Sequence, residues 1–188
     1  MTDEEHHRLR VLVADERDIY LVPIGDAVEE LGHDVIAHEV EITKVGRATV
    51  EHCPDIAVVA LHEDTDHALE LIGEIIEEAT CPVVVLAEDA SRDFVAEAAK
   101  KGVFAYLDST SETELQGGID VAIQRFHQYR KLLAAFDRRA LIERAKGILM
   151  ERHEIGEQEA FDRIRTEARS TRRPLIDVVG DVIGSDES

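Results

Sequence analysis

The sequence predicts an α/β fold, a doubly wound parallel sheet of five strands, followed by a long coiled-coil helix and a small all-α domain of three helices. Three observations predict it. Short runs rich in Val and Ile alternate with segments of helical length over residues 1–111. An apolar seam at steps of four and three then runs without a break, and residues 137–188 hold three short amphipathic patterns. The domains expected are therefore 1–111, 112–136 and 137–188.

The strands are read at Arg10 to Ala14, Asp34 to Val40, Ile56 to Leu61, Val83 to Ala87 and Val103 to Leu107. Near-continuous apolar runs of this length suit strands buried on both faces, which is the situation in a parallel sheet covered by helices. Ligand chemistry in such a sheet belongs at the carboxyl ends of the strands.

The seam is Leu115, Ile119, Ala122, Phe126, Tyr129, Leu133, Phe136 and Ala140. Its early members can pack the last helix of the sheet domain against its own strands. Beyond about Arg125 no sheet remains, so Phe126, Tyr129, Leu133 and Phe136 are expected to meet a second copy in a parallel coiled coil. The alternative is that they fold back on the C-terminal helices of the same chain.

In the C-terminal part, Leu141, Ile142, Ala145, Ile148 and Leu149 share one helical face, and Gly156 is expected to end that helix. A second helix buries Ala160, Phe161, Ile164 and Ala168 and leaves Arg165 and Arg169, one turn apart, in solvent. Pro174 suits a first helical position, so a third helix begins there with Leu175, Val178, Val179, Val182 and Ile183 inward. Gly180 weakens it by about 1 kcal/mol relative to Ala.

The net charge is −20, but it is unevenly placed. Residues 1–136 carry 11 Lys and Arg against 29 Asp and Glu, whereas residues 137–173 carry 10 against 8. A locally basic face on a small helical unit is compatible with nucleic acid, and its weakness favours two copies acting together. No apolar run is long enough to span a bilayer, and MTDEEHHRLR does not read as a signal peptide, so a cytoplasmic location is expected. Cys53 and Cys81 have neither CxxC spacing nor partners of metal type and read as reduced thiols.

The run AKGILM-ER, then AF-x-x-IR and a third small helix, resembles the ANTAR domain, an RNA-binding module of bacterial transcription antiterminators. The resemblance rests on Ala145, Lys146, Gly147, Ala160, Phe161 and Arg165, and it departs from the family at Val179, where a small residue is usual. It implies binding to RNA stem-loops in nascent transcripts. The candidate RNA contacts are Lys146, Arg165, Arg169, Arg172 and Arg173, with Arg139, Arg144 and Arg152 next, while Ala145, Gly147, Ala160 and Phe161 are read as shaping the fold.

Residues 8 to about 125 resemble the receiver domain of response regulators, a flavodoxin-like sheet, through Asp15 and Glu16 after the first strand, PDIAVVAL, PVVVLAED and KGVFAYLDS. By that resemblance the phosphoacceptor position falls on Ala60, the hydroxyl position on Ala87 and the lysine position on Ser109. A receiver without the acceptor carboxylate has no nucleophile for phosphoryl transfer. Asp15 and Glu16 remain as weak metal candidates, and Asp64 or Asp66 would lie too far along the loop to replace the acceptor. The segment His62 to His67 could be a metal site or a polar loop, and the loop is the simpler reading.

No cofactor, metal or enzymatic activity is implied. The resemblance to amidase-operon regulators implies instead a sequestering sensor protein as partner, beside RNA and a second copy. The rival reading is a phosphorylation-independent adaptor that binds protein and has no useful RNA affinity.

Overall fold

The computed structural model describes residues 8–15, 17, 19–39, 41–62, 66–87 and 89–185. Two compact units form, residues 1–127 and 128–188.

In the first unit, strands β1 (Arg10–Asp15), β2 (Asp34–Glu39), β3 (Ile56–Ala60), β4 (Val83–Leu86) and β5 (Ala105–Leu107) alternate with helices α1 (Leu21–Glu30), α2 (Val45–His52), α3 (Asp66–Glu78), α4 (Arg92–Lys101) and the start of α5 (Glu112–His153). All pairings are parallel and the strand order is β2-β1-β3-β4-β5. This is the doubly wound order with its switch point between β1 and β3.

Successive residues of each central strand feed opposite cores. Leu12, Ala14, Ala57, Val59, Val83 and Val85 pack with Val45, Ile72, Ile75 and Phe94 from α2, α3 and α4. Val11, Val13, Ile56, Val58, Val84 and Leu86 pack with Ile24 and Val28 of α1 and with Leu115, Ile119 and Ala122 of α5. A side chain at Gly118 would run into Leu107, so this glycine is what lets α5 press against β5.

Strand β5 is shorter than the expected run because Val103 is engaged elsewhere. Its N–H bonds to the Ala98 carbonyl at the end of α4, where Gly102 takes a left-handed φ of 108°.

The second unit holds the rest of α5, then α6 (Glu157–Thr171) and α7 (Leu175–Gly184). Ala145, Leu149, Ala160, Ile164, Ala168, Val178, Val179 and Ile183 form its core. Two expectations about helix ends are corrected. The first C-terminal helix is not separate but is the last part of α5, which runs unbroken from residue 112, since no proline interrupts it. It stops at Glu154, which has φ 53°, and Gly156 is instead the extended cap at the start of α6. Pro174 caps α7 from just outside, and the helix runs through Gly180 with Val179 fully buried. Among the described residues no helix is long and apolar enough to cross a membrane.

Candidate functional site

Two places collect chemistry, one at the carboxyl ends of the strands and one on the outer faces of α5 and α6.

At the strand ends, the β1–β3 register sets Asp15 beside Ala60. Asp15 is fully buried. Its Oδ1 accepts the Arg17 N–H at 3.0 Å and a hydrogen bond from His62 Nε2, while its Oδ2 accepts the Tyr20 N–H at 2.6 Å. The His62 ring stacks on Tyr20 with centroids 5.5 Å apart. Burial pushes the Asp15 pKa up, but the bonds from Tyr20, His62 and Arg17 outweigh it and hold the carboxyl below its ordinary value.

Past β4 and β5, Asp89 and Asp108 line a cavity of about 320 Å³ together with Ala90 and Tyr106. Ala87 donates its N–H to Leu107 and accepts the Tyr106 hydroxyl. Ser109 gives its hydroxyl to Glu114 at 2.6 Å, in the first turn of α5. Asp66 is the first residue of α3. Glu16 and Asp64 lie outside the described residues. The sequence reads His62 as part of a polar loop; the fold pairs it with Asp15 from a position two residues past the end of β3.

Because the folded pKa of Asp15 lies below the unfolded value of about 3.9, this carboxylate adds stability that is complete above that value and is lost as pH falls through the folded one. Thermal melts of the chain should therefore lose part of their midpoint as the pH falls below about 4. In Asp15→Asn that component should be missing, and an unchanged acid profile would contradict the role given to the carboxylate.

On the C-terminal unit, the candidate cations separate into two groups. Lys146 is 6% exposed and its Nζ lies 2.7 Å from Glu143 and 2.6 Å from Glu157. The bonds to Glu143 and then Glu157 raise its pKa, so it ties α5 to α6 as a charged pair. Arg173 is held by Asp181 at 2.6 Å, and Arg152 donates to the Ser185 hydroxyl at 3.1 Å beyond the end of α7.

Arg165, Arg169 and Arg172 are exposed on one flank of α6, and Arg139 and Arg144 are exposed on α5. Arg172 has φ 54° at the end of α6, where glycine is favoured and any other residue costs about 1 kcal/mol. The opposite flank of α6 is acidic. There a groove of about 520 Å³ is lined by Leu149, Ile164, Val178 and Val182 together with Glu159, Asp162, Thr166, Glu167 and one base, Arg163, which is paired with Glu159.

Ala145 and Ala160 are buried as core, Phe161 is half-buried, and Gly147 is exposed with open space around it. These are the positions that carry the family pattern. Residues 130–183 match the ANTAR domain. The C-terminal unit is an ANTAR domain.

The chain thus joins a receiver fold to an ANTAR domain. Over 187 residues it is 26% identical to the transcriptional regulatory protein PdtaR of Mycobacterium tuberculosis, covering 94% of this chain and 91% of that protein. The first unit superposes on the receiver domain of the response regulator NarL from the same organism with a TM-score of 0.53 at 18% identity, over 61% of this chain and 96% of that one. The response regulator domain of Thermotoga maritima CheB gives 0.52 at 17% identity, over 62% and 97%.

Along α5, Phe126 is half-buried and meets Phe104 edge to face with centroids 5.3 Å apart. Tyr129, Leu133 and Phe136 are 49%, 40% and 68% exposed. Phe136 precedes Ala145 by nine residues, about two and a half turns, so the two side chains leave opposite sides of the helix. The seam therefore points away from the core of the ANTAR domain, and these three side chains do not fold back on α6 and α7.

Proposed function

We propose that this chain is a cytoplasmic transcription antitermination regulator that binds RNA stem-loops through its ANTAR domain and acts as a homodimer. It is not an enzyme. The observation that carries the reading is the exposed arginine flank of α6, Arg165, Arg169 and Arg172, on a domain of this family. Guanidinium groups at that spacing suit phosphates and splayed bases of looped RNA.

The receiver-like unit works without phosphate in this reading, because Ala60 offers no nucleophile and the neighbouring Asp15 is buried and already accepts three hydrogen bonds. Its acidic surface is then a docking face, and a sequestering sensor protein is the partner it fits. The seam Tyr129, Leu133 and Phe136 serves the second copy.

Binding of the purified chain to a labelled RNA carrying two stem-loops tests this. Arg165→Gln with Arg169→Gln should weaken binding about tenfold or more, with the thermal midpoint unchanged. Lys146→Ala should instead lower the midpoint, since its partners lie inside the domain. In the same preparation, a small phosphodonor with magnesium should add no mass to the protein. A phosphorylated Asp, or an absence of RNA binding in the dimer, would overturn the corresponding part.

A further inference from the structure

Within the ANTAR match, residues 130–183, the positive charge is concentrated ahead of the packed core. Residues 145–188 carry seven Lys and Arg against ten Asp and Glu. Of those seven, Lys146, Arg163 and Arg173 are held in ion pairs with Glu143, Glu157, Glu159 and Asp181. The preceding stretch of α5 reverses the sign. Residues 125–144 carry six Lys and Arg against two acids, Asp137 and Glu143, in a chain whose net charge is −20.

Every residue of α5 from His127 to Leu141 is exposed. Lys131, Arg138 and Ala145 follow one another at intervals of seven, about two turns, so they lie along one side of the helix. Ala145 on that line is covered by α6 and α7, whereas the two cations continue the line beyond the core. The seam of Tyr129, Leu133 and Phe136 occupies the other side. In a paired helix these cations would therefore stay outward, at the position farthest from the partner.

Helix α6 is joined to α5 by three residues, which makes the two a helical hairpin. At about 1.5 Å per residue, its 15 residues return to roughly the level of Arg138. That is the end of α6 where Arg169 and Arg172 are exposed. Arg172 occupies a left-handed position there that favours glycine, so its side chain is present against the backbone preference.

We propose that the RNA backbone is held by a cationic cluster spanning the two helices, Lys131 and Arg138 of α5 with Arg169 and Arg172 of α6. This inference rests on the RNA-binding reading and adds the long helix to the interface. Its neutral counterpart is Arg163, on the acidic flank of α6 and paired with Glu159 at 3.0 Å.

The test uses the full chain and a labelled RNA of two stem-loops, titrated at several salt concentrations. Lys131→Gln with Arg138→Gln should lower affinity about tenfold and flatten the slope of log K against log salt by about 1.5 per protomer. Sedimentation should show the same oligomer as the unmodified chain, and Arg163→Gln should change neither slope nor affinity. Arg172→Gly should raise the thermal midpoint and still weaken binding, a combination that a structural role cannot produce. If Arg165→Gln weakens binding while the Lys131 and Arg138 variant keeps the full affinity and slope, the cluster is wrong and the RNA reading stands. No binding by the unmodified chain overturns both.

Discussion

A chain carrying Leu133→Glu and Phe136→Glu should be monomeric at concentrations where the unmodified chain is dimeric, and should fold as before. Both side chains are exposed within the single chain, at 40% and 68%, so replacing them costs little in folding. In a helix pair each would be buried, at about 1.5–3 kcal/mol apiece, and symmetry counts both copies. Losing four such side chains weakens association by about 6 kcal/mol or more, a factor above about ten thousand.

Affinity for an RNA with two stem-loops should fall by about a hundredfold, because the second contact is no longer intramolecular, while affinity for a single stem-loop stays close to its former value. Sedimentation and titration with both RNAs check this together. A variant that remains dimeric would show that the seam is not the interface, and equal losses on both RNAs would point to damage in the RNA-binding face itself.

Phe126 should behave differently from its neighbours in the same repeat. It packs edge to face on Phe104 of its own sheet unit, and the adjacent Arg125 donates to the Phe104 carbonyl at 3.1 Å. The heptad spacing treats Leu115 to Ala140 as one seam, but the protein divides it. Leu115, Ile119 and Ala122 serve the sheet, Phe126 closes that packing, and only the residues after it face solvent. Spacing along a helix fixes the side on which a residue stands and says nothing of what covers that side.

The same distinction explains what could be read from the sequence. Strands β1, β3 and β4 were legible almost to the residue because they are buried on both faces, and full burial leaves an uninterrupted apolar run. The ANTAR pattern was legible because its core residues, Ala145, Ala160 and Ile164, recur at helical intervals. Lys146 was not, since a lysine between apolar neighbours reads as a surface cation until Glu157, eleven residues away, is brought against it. Asp15 and His62 are 47 residues apart, and only the β1–β3 register joins them. A charged or titratable side chain carries no mark in the sequence of whether its partner will be solvent, RNA or another part of the chain.

Ile164→Ala should unfold the ANTAR domain and leave the receiver fold in place. Ile164 is 1% exposed at the centre of a core made by eight buried side chains. Truncating an isoleucine in such a site costs about 2–5 kcal/mol, through lost burial and the cavity that remains. A unit of this size has only about 3–5 kcal/mol to lose. The sheet unit draws its stability from two separate cores and contains none of these residues, so its transition should keep its midpoint. A thermal melt followed by circular dichroism should lose the helical transition and retain the one from the sheet, and RNA binding should vanish with the first. Retention of RNA binding at full strength in this variant would mean that the long helix alone carries the contact. A single concerted loss of both transitions would mean that α5, which is continuous from residue 112 to 153, couples the two units into one cooperative fold.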